Sequence, residues 1–112
     1  MHKTVLITGA AKGIGAQIAR DFAKEGYNVL INYNLSYNEA LKLKQELLEA
    51  GYNVEIYKAN ISNRDEVEKM IQFCISRFDS IDVLVNNSGI CEYKLFTDIT
   101  NEDFINMLNV NV

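Results

Sequence analysis

Three glycines, Gly9, Gly13 and Gly15, follow Thr8 within one short stretch. Before them, Val5-Leu6-Ile7 is an apolar run too short for a helix and suited to a strand buried on both faces. After them, Ile14, Ile18 and Phe22 recur four residues apart, the spacing of a helix with one apolar face. Strand, glycine turn and helix together make a frame for an anion. The helix begins with unpaired N–H groups and the positive end of its dipole, so a phosphate sits well there. Gly9 allows a sharp turn, Gly13 lets backbone approach a phosphate, and Gly15 lets the helix lie close on the sheet. A glycine turn that only joins a strand to a helix has the same composition, so the rest of the chain has to decide.

Two further stretches carry polar groups that could do chemistry. Asn86-Asn87-Ser88-Gly89 directly follows an apolar run, Ile81–Val85. Amides at a strand end either satisfy stray backbone groups or face a ligand. Nearer the end, Phe104-Ile105-Asn106-Met107-Leu108-Asn109-Val110-Asn111-Val112 offers Asn109 and Asn111. The two cysteines, Cys74 and Cys91, have no metal-ligand spacing, and Cys74 falls on an apolar helix face, where packing is its expected role. Cys91 follows a loop glycine. His2 is the one histidine, which leaves these residues no histidine triad or multi-histidine metal site.

The elements that must position these groups alternate. A first helix is expected from about Ile14 to Glu25, stopped at Gly26. A second strand follows at Asn28–Tyr33. Ser36 and Glu39 read as a capping box before a helical stripe of Ala40, Leu43, Leu47 and Ala50, ended by Gly51. Asn53–Tyr57 is the third strand. Ser62 and Asp65 repeat the cap before a face of Val67, Met70, Ile71, Cys74 and Phe78. Ile81–Val85 is the fourth strand, and a loop leads to a cap pair, Thr100 and Asp103, opening a last helix. Strands joined by crossovers of helical length imply right-handed parallel connections, with helices on both sheet faces. The expected order is 3-2-1-4, the start of a doubly wound α/β sheet. The glycine turn and the Asn86–Gly89 loop then lie side by side, where such a sheet opens a crevice at its carboxyl ends. Nothing covers the far edge of the fourth strand in this pattern, so an exposed, self-associating edge is expected.

Composition sets outer bounds. The 112 residues suit one domain, with no linker, repeat or low-complexity tract. The net charge of −4 is mixed along the chain, and no basic patch or basic helix appears, which argues against nucleic acid and membrane surfaces as partners. No apolar stretch approaches membrane-spanning length. Met1-His2-Lys3 runs straight into the first strand without a signal peptide, and the expected compartment is the cytoplasm.

The glycine spacing Gly9-x-x-x-Gly13-x-Gly15 after Thr8, the Asn86-Asn87-Ser88-Gly89 loop and the segment around Asn111 resemble the short-chain dehydrogenase/reductase family. The match runs along essentially the whole chain in the family's order, with Ser88 in place of the alanine of an Asn-Asn-Ala-Gly motif. The resemblance implies a truncated Rossmann-like sheet, the amino-terminal part of a nucleotide-binding domain. It also implies hydride transfer between a nicotinamide cofactor and a small carbonyl or alcohol substrate, such as a 3-oxoacyl thioester or a sugar alcohol, in a homo-oligomer. The cofactor-binding residues it assigns are Gly9, Lys12, Gly13, Ile14, Gly15, Asn34, Ser36, Asn60, Ile61, Asn87, Ser88 and Gly89. Asn111 is its catalytic candidate, anchoring a water in a proton relay.

The resemblance also bears on which nicotinamide nucleotide is used. Members that prefer NAD often carry an acid at the end of the second strand; here Asn32-Tyr33-Asn34-Leu35-Ser36 has none. Lys12 resembles the basic residue that NADP-preferring members place near the 2′-phosphate, although Leu35 stands where similar reductases often have Arg. NADP is the expected cofactor and NAD the alternative. Asn60 replaces a usual Asp beside the adenine. The family's catalytic Ser and Tyr-x-x-x-Lys pair are missing: four residues after its six tyrosines this chain has Ile31, Tyr37, Leu41, Ile56, Ile61 and Thr97, and no lysine. These residues alone are therefore expected to be inactive. A non-catalytic nucleotide-binding or interaction module is the alternative reading.

Overall fold

The computed structural model describes residues 2–87 and the backbone of 92–95. Eight elements follow in order: β1 (Thr4–Thr8), α1 (Gly13–Lys24), β2 (Asn28–Tyr33), α2 (Tyr37–Glu49), β3 (Val54–Lys58), α3 (Arg64–Phe78), β4 (Val83–Asn86) and β5 (Glu92–Leu95). The sheet order is β3-β2-β1-β4-β5. The first four strands are parallel and reproduce the expected order 3-2-1-4. β1, β2 and β4 are buried at every residue, because helices cover both faces of a parallel sheet.

Strand alternation divides the core in two. Val5, Ile7, Val29, Ile31, Val83 and Val85 point to one face and pack with Ala16, Ile18 and Ala19 of α1 and with Leu43 and Leu47 of α2. Leu6, Leu30 and Leu84 point to the other and meet Val67, Met70, Ile71, Cys74 and Phe78 of α3. Each valine, leucine, isoleucine, methionine or phenylalanine among them contributes about 1.5–3 kcal/mol when taken from water, which makes the sheet centre the anchor of the fold. Burial raises the Cys74 thiol to about 12, helped by the Asp82 charge, so it is a packing group as expected.

Both helices on the first face end alike. Gly26 and Gly51 take positive φ, the amide of Gly26 donates to Ala23 and that of Tyr27 to Phe22, and Gly51 and Tyr52 repeat the pair on Leu48 and Leu47.

Three local expectations are corrected. Ser36 occupies the N-cap position of α2, but its side chain makes no cap hydrogen bond, so the Ser36–Glu39 box does not form. The N-cap of α3 is Asn63 rather than Ser62: Asn63 Oδ1 accepts from Glu66 N, and Glu66 Oε1 accepts from Asn60 N. Ser62 is held one step earlier, its amide donating to Asn60 Oδ1 in a turn that leaves β3. Finally, the edge of β4 is not open. β5 pairs with it antiparallel, Asn86 opposite Glu92 and Val83 opposite Leu95. Antiparallel neighbours need only a short connection, so residues 87–91 suffice where a parallel neighbour needs a crossover.

Candidate functional site

The carboxyl ends of β1, β2 and β4 converge on the glycine turn. Gly9 and Gly13 have φ of +60° and +64°, conformations other residues adopt only with strain. The turn is pinned from both sides by amides. On the β2 side, Gly9 N donates to Asn32 Oδ1 at 3.1 Å and Ala10 N to the Asn32 carbonyl at 3.0 Å. On the β4 side, Asn87 Nδ2 donates to the Gly9 carbonyl at 3.1 Å. Gly15 is where α1 crosses this turn. A Cβ there would lie 2.6 Å from Asn87 Nδ2 and 2.8 Å from both Ala10 Cα and the Gly9 carbonyl oxygen. Its role is therefore close approach, against the turn and Asn87. A Cβ at Gly13 would meet nothing within 4 Å. That open space lies before the first turn of α1, which carries no acidic side chain and leaves the helix's positive end to an incoming anion.

Thr8 joins the two halves of the site. Its hydroxyl donates to Asn86 Oδ1 at 3.0 Å and accepts from Asn87 N at 3.0 Å. Asn86 is fully buried, and its Nδ2 is the one buried side-chain polar atom among the described residues without a partner. Asn87 thus braces backbone, as a strand-end amide does, and shapes the turn by the same bond. Sequence reading missed Asn32 and Thr8 as site residues. Their signal, a polar residue closing an apolar strand, is common to many strand ends.

Beside the turn lies a cleft of about 240 Å³, lined by Gly9, Ala11, Lys12, Tyr33, Asn34, Leu35 and Ser36. It brings Lys12 together with Asn34 and Ser36, more than twenty positions further along the chain. Leu35 is 89% exposed at its rim, while Tyr33 is 8% exposed. Burial raises the Tyr33 phenol above its ordinary value, and the Tyr37 charge adds to this; the two rings lie 5.9 Å apart. Ile14, next to Gly13, is 72% exposed. Asn60 and Ile61 are not part of this lining. Asn60 stands exposed past the end of β3 with its Oδ1 already accepting from Ser62 N, and Ile61 packs against the α3-side core. A larger cleft of about 450 Å³ lies along Asp21, Phe22, Lys24, Glu25 and Tyr27, at the other end of α1. Ser88, Gly89, Cys91, Asn111 and the helix expected from Thr100 lie outside the described residues. Among the described residues no three His, Cys, Asp or Glu side chains gather to hold a metal, and no helix is long and apolar enough to cross a membrane.

The family model described as short chain dehydrogenase matches residues 3–112. A 3-oxoacyl-(acyl-carrier-protein) reductase FabG from Staphylococcus epidermidis is 38% identical over 112 residues, 100% of this chain and 46% of the relative. A diacetyl reductase, (S)-acetoin forming, from Staphylococcus epidermidis is 38% identical over 114 residues, again 100% of this chain and 43% of the relative. The chain thus spans just under half the length of these curated relatives. Among solved structures, a mutant Serratia marcescens short-chain dehydrogenase/reductase superposes with a TM-score of 0.76 at 30% identity, covering 98% of this chain and 45% of that one. A metagenomic short-chain oxidoreductase in complex with NADP gives a TM-score of 0.72 at 28% identity, over 79% of this chain and 39% of that one.

Proposed function

The chain belongs to the short-chain dehydrogenase family, and from that premise we propose that it is the cofactor-binding part of an NADP-dependent oxidoreductase acting on a small carbonyl or alcohol substrate. The observation that carries the reading is the cleft beside the glycine turn, where Lys12 and Ser36 share one lining with the acid-free end of β2. A 2′-phosphate needs a cation and donors and is repelled by a carboxylate. A neighbour that holds NADP and relatives named for carbonyl reduction support the same reading.

When bound, the nicotinamide nucleotide supplies the hydride chemistry. This chain's residues bind and orient it. The first-turn amides of α1 and the glycine turn take the pyrophosphate, with Gly13 leaving room for it. Lys12 and Ser36 take the 2′-phosphate, with Asn34 beside them. Asn87 holds the turn through the Gly9 carbonyl. The chain has no Tyr-x-x-x-Lys, so these residues bind the nucleotide without turning it over. The assembly is a homo-oligomer.

Titration of the full-length protein and its Lys12→Glu variant with NADP+ and NAD+ tests the cofactor assignment. Lys12 is exposed, so its contact is expected at the lower end of the range for charge-assisted bonds, a loss of about tenfold in NADP+ affinity. NAD+ affinity is expected to change little. Equal loss for both nucleotides would show that Lys12 does not read the 2′-phosphate. A wild-type protein that binds neither would favour the interaction-module reading.

A further inference from the structure

We propose that Asn32 is a positioning residue for the bound nucleotide, its single side-chain amide locking the glycine turn to the end of β3. The inference rests on the cofactor reading above and adds to it a residue that faces no ligand.

Asn32 is 2% exposed near the end of β2. By strand alternation it shares a face with Leu30, so an apolar residue would suit the position. A buried amide is costly unless its groups are bonded, and here they are. Oδ1 accepts from Gly9 N at 3.1 Å. Nδ2 donates to the Ala59 carbonyl at 3.0 Å, with the Tyr57 and Tyr33 carbonyls at 3.4 Å. Only this orientation of the amide fits, since Gly9 N needs an acceptor and the three carbonyls need a donor. The main chain of the same residue takes the next amide of the turn, Ala10 N. Two consecutive amides of the phosphate-facing turn are thus oriented by one residue. That residue is bonded in turn to Ala59, which precedes Asn60 and Ile61. The turn and the segment after β3 therefore move together or not at all.

Asn32→Asp separates this role from simple packing, because it can be switched by protons. When protonated, the carboxyl can still accept from Gly9 N and donate to the Ala59 carbonyl. When ionised, it faces three carbonyl oxygens with no hydrogen to offer. Burial and those oxygens raise the carboxyl's pKa. The charged and titratable groups on the segments it ties together are Lys12, Tyr33, Tyr57, Lys58 and Glu66, with the two lysines pulling the other way. A raised pKa means the bonded state is present at low pH and is lost as pH rises through it. Asn32→Ser, which introduces no charge, serves as the second variant.

The experiment is calorimetric titration of full-length wild type and both variants with NADP+ and NAD+, with circular dichroism confirming folded protein. Affinities are expressed as variant over wild type, which cancels titration of the nucleotide. Asn32→Asp is expected to lose about tenfold or more at about pH 8 and to recover most of it at about pH 5.5. Asn32→Ser is expected to lose about tenfold at both, by the same factor for NADP+ and NAD+, since the turn and not the 2′-phosphate is disturbed. Folded variants that bind like wild type at both values would overturn the proposal while leaving the cofactor reading intact. A wild type that binds neither nucleotide would overturn both. If Asn32→Asp does not fold at the higher pH, Asn32→Ser decides.

Discussion

Gly13 and Gly15 stand two positions apart and serve opposite needs. At Gly15 there is no room: the atoms around a would-be Cβ include backbone of Gly9 and Ala10, which cannot rotate away. At Gly13 there is room, but φ of +64° strains any side chain by about 1–2 kcal/mol. Gly15→Ala is therefore expected to lower thermal stability more than Gly13→Val does. Gly13→Val should stay folded with a moderately lowered melting temperature and lose NADP+ binding, because its side chain fills the space a phosphate would use. Melting curves and nucleotide titration on both variants check this, and a Gly15→Ala protein as stable as wild type would contradict it. The glycine spacing made both residues legible in the sequence. The contact that makes Gly15 necessary was not, because Asn87 arrives from the far end of the sheet. The same holds for Asn32, which in sequence registers only as the absence of an acid.

Within the strands, polarity is laid out in rows. Leu6, Leu30 and Leu84 share one face, and one pleat further on that face stand Thr8, Asn32 and Asn86. At the opposite ends, Asn28 bonds to Thr4 Oγ1, Asn53 to Asn28 Oδ1, and Asp82 accepts from Thr4 N. The apolar period made the strands readable, with β2 matched to the residue and β4 displaced toward Asn86 because buried amides extend the pairing. Helix starts were less readable, since several adjacent residues of capping type compete and tertiary geometry chooses among them. Ser36 and Asn63 turn that choice into a prediction. Asn63→Ala removes an observed cap and is expected to cost about 1 kcal/mol. Ser62→Ala and Ser36→Ala remove none and should leave chemical denaturation midpoints nearly unchanged. Ser36→Ala should instead weaken NADP+ binding. A destabilised Ser36→Ala protein would mean that its hydroxyl caps α2 after all.

Three layers meet at one carboxylate on the outer edge of the sheet. Glu55 of β3 bonds Lys44 of α2 at 3.0 Å and Arg77 of α3 at 3.1 Å, so a single side chain ties both helical layers to the edge strand. Burial pushes its carboxyl upward, but hydrogen bonds and charge from Lys44 and Arg77 outweigh that and hold it below the usual carboxylate range. A depressed carboxyl stabilises the fold above its unfolded pKa and loses that contribution as pH falls through the folded value. Glu55→Gln is expected to cost about 1 kcal/mol near neutrality, since the pairs are partly exposed. The gap to wild type should narrow from neutrality into acid, as pH falls through the folded value. Urea melts across that range are the measurement, and a gap that persists in acid would show that packing, not charge, is lost. The doubly wound layout was legible because each crossover repeats the same strand and helix periods. β5 was not, since four residues after a loop carry too little pattern to announce a strand.

The central position of β1 has a consequence in time. It is made before the other described strands, yet its second partner comes last among the parallel ones: Val5 pairs with Val29 on one side and with Val83, 78 residues later (83 − 5), on the other. A ribosome adding about 5–20 residues per second needs roughly 4–16 s to cover that interval. Throughout it, Val5-Leu6-Ile7 has one bare hydrogen-bonding edge and a face without its full cover. The residues that end up best protected in the finished sheet are those a nascent chain must shield longest.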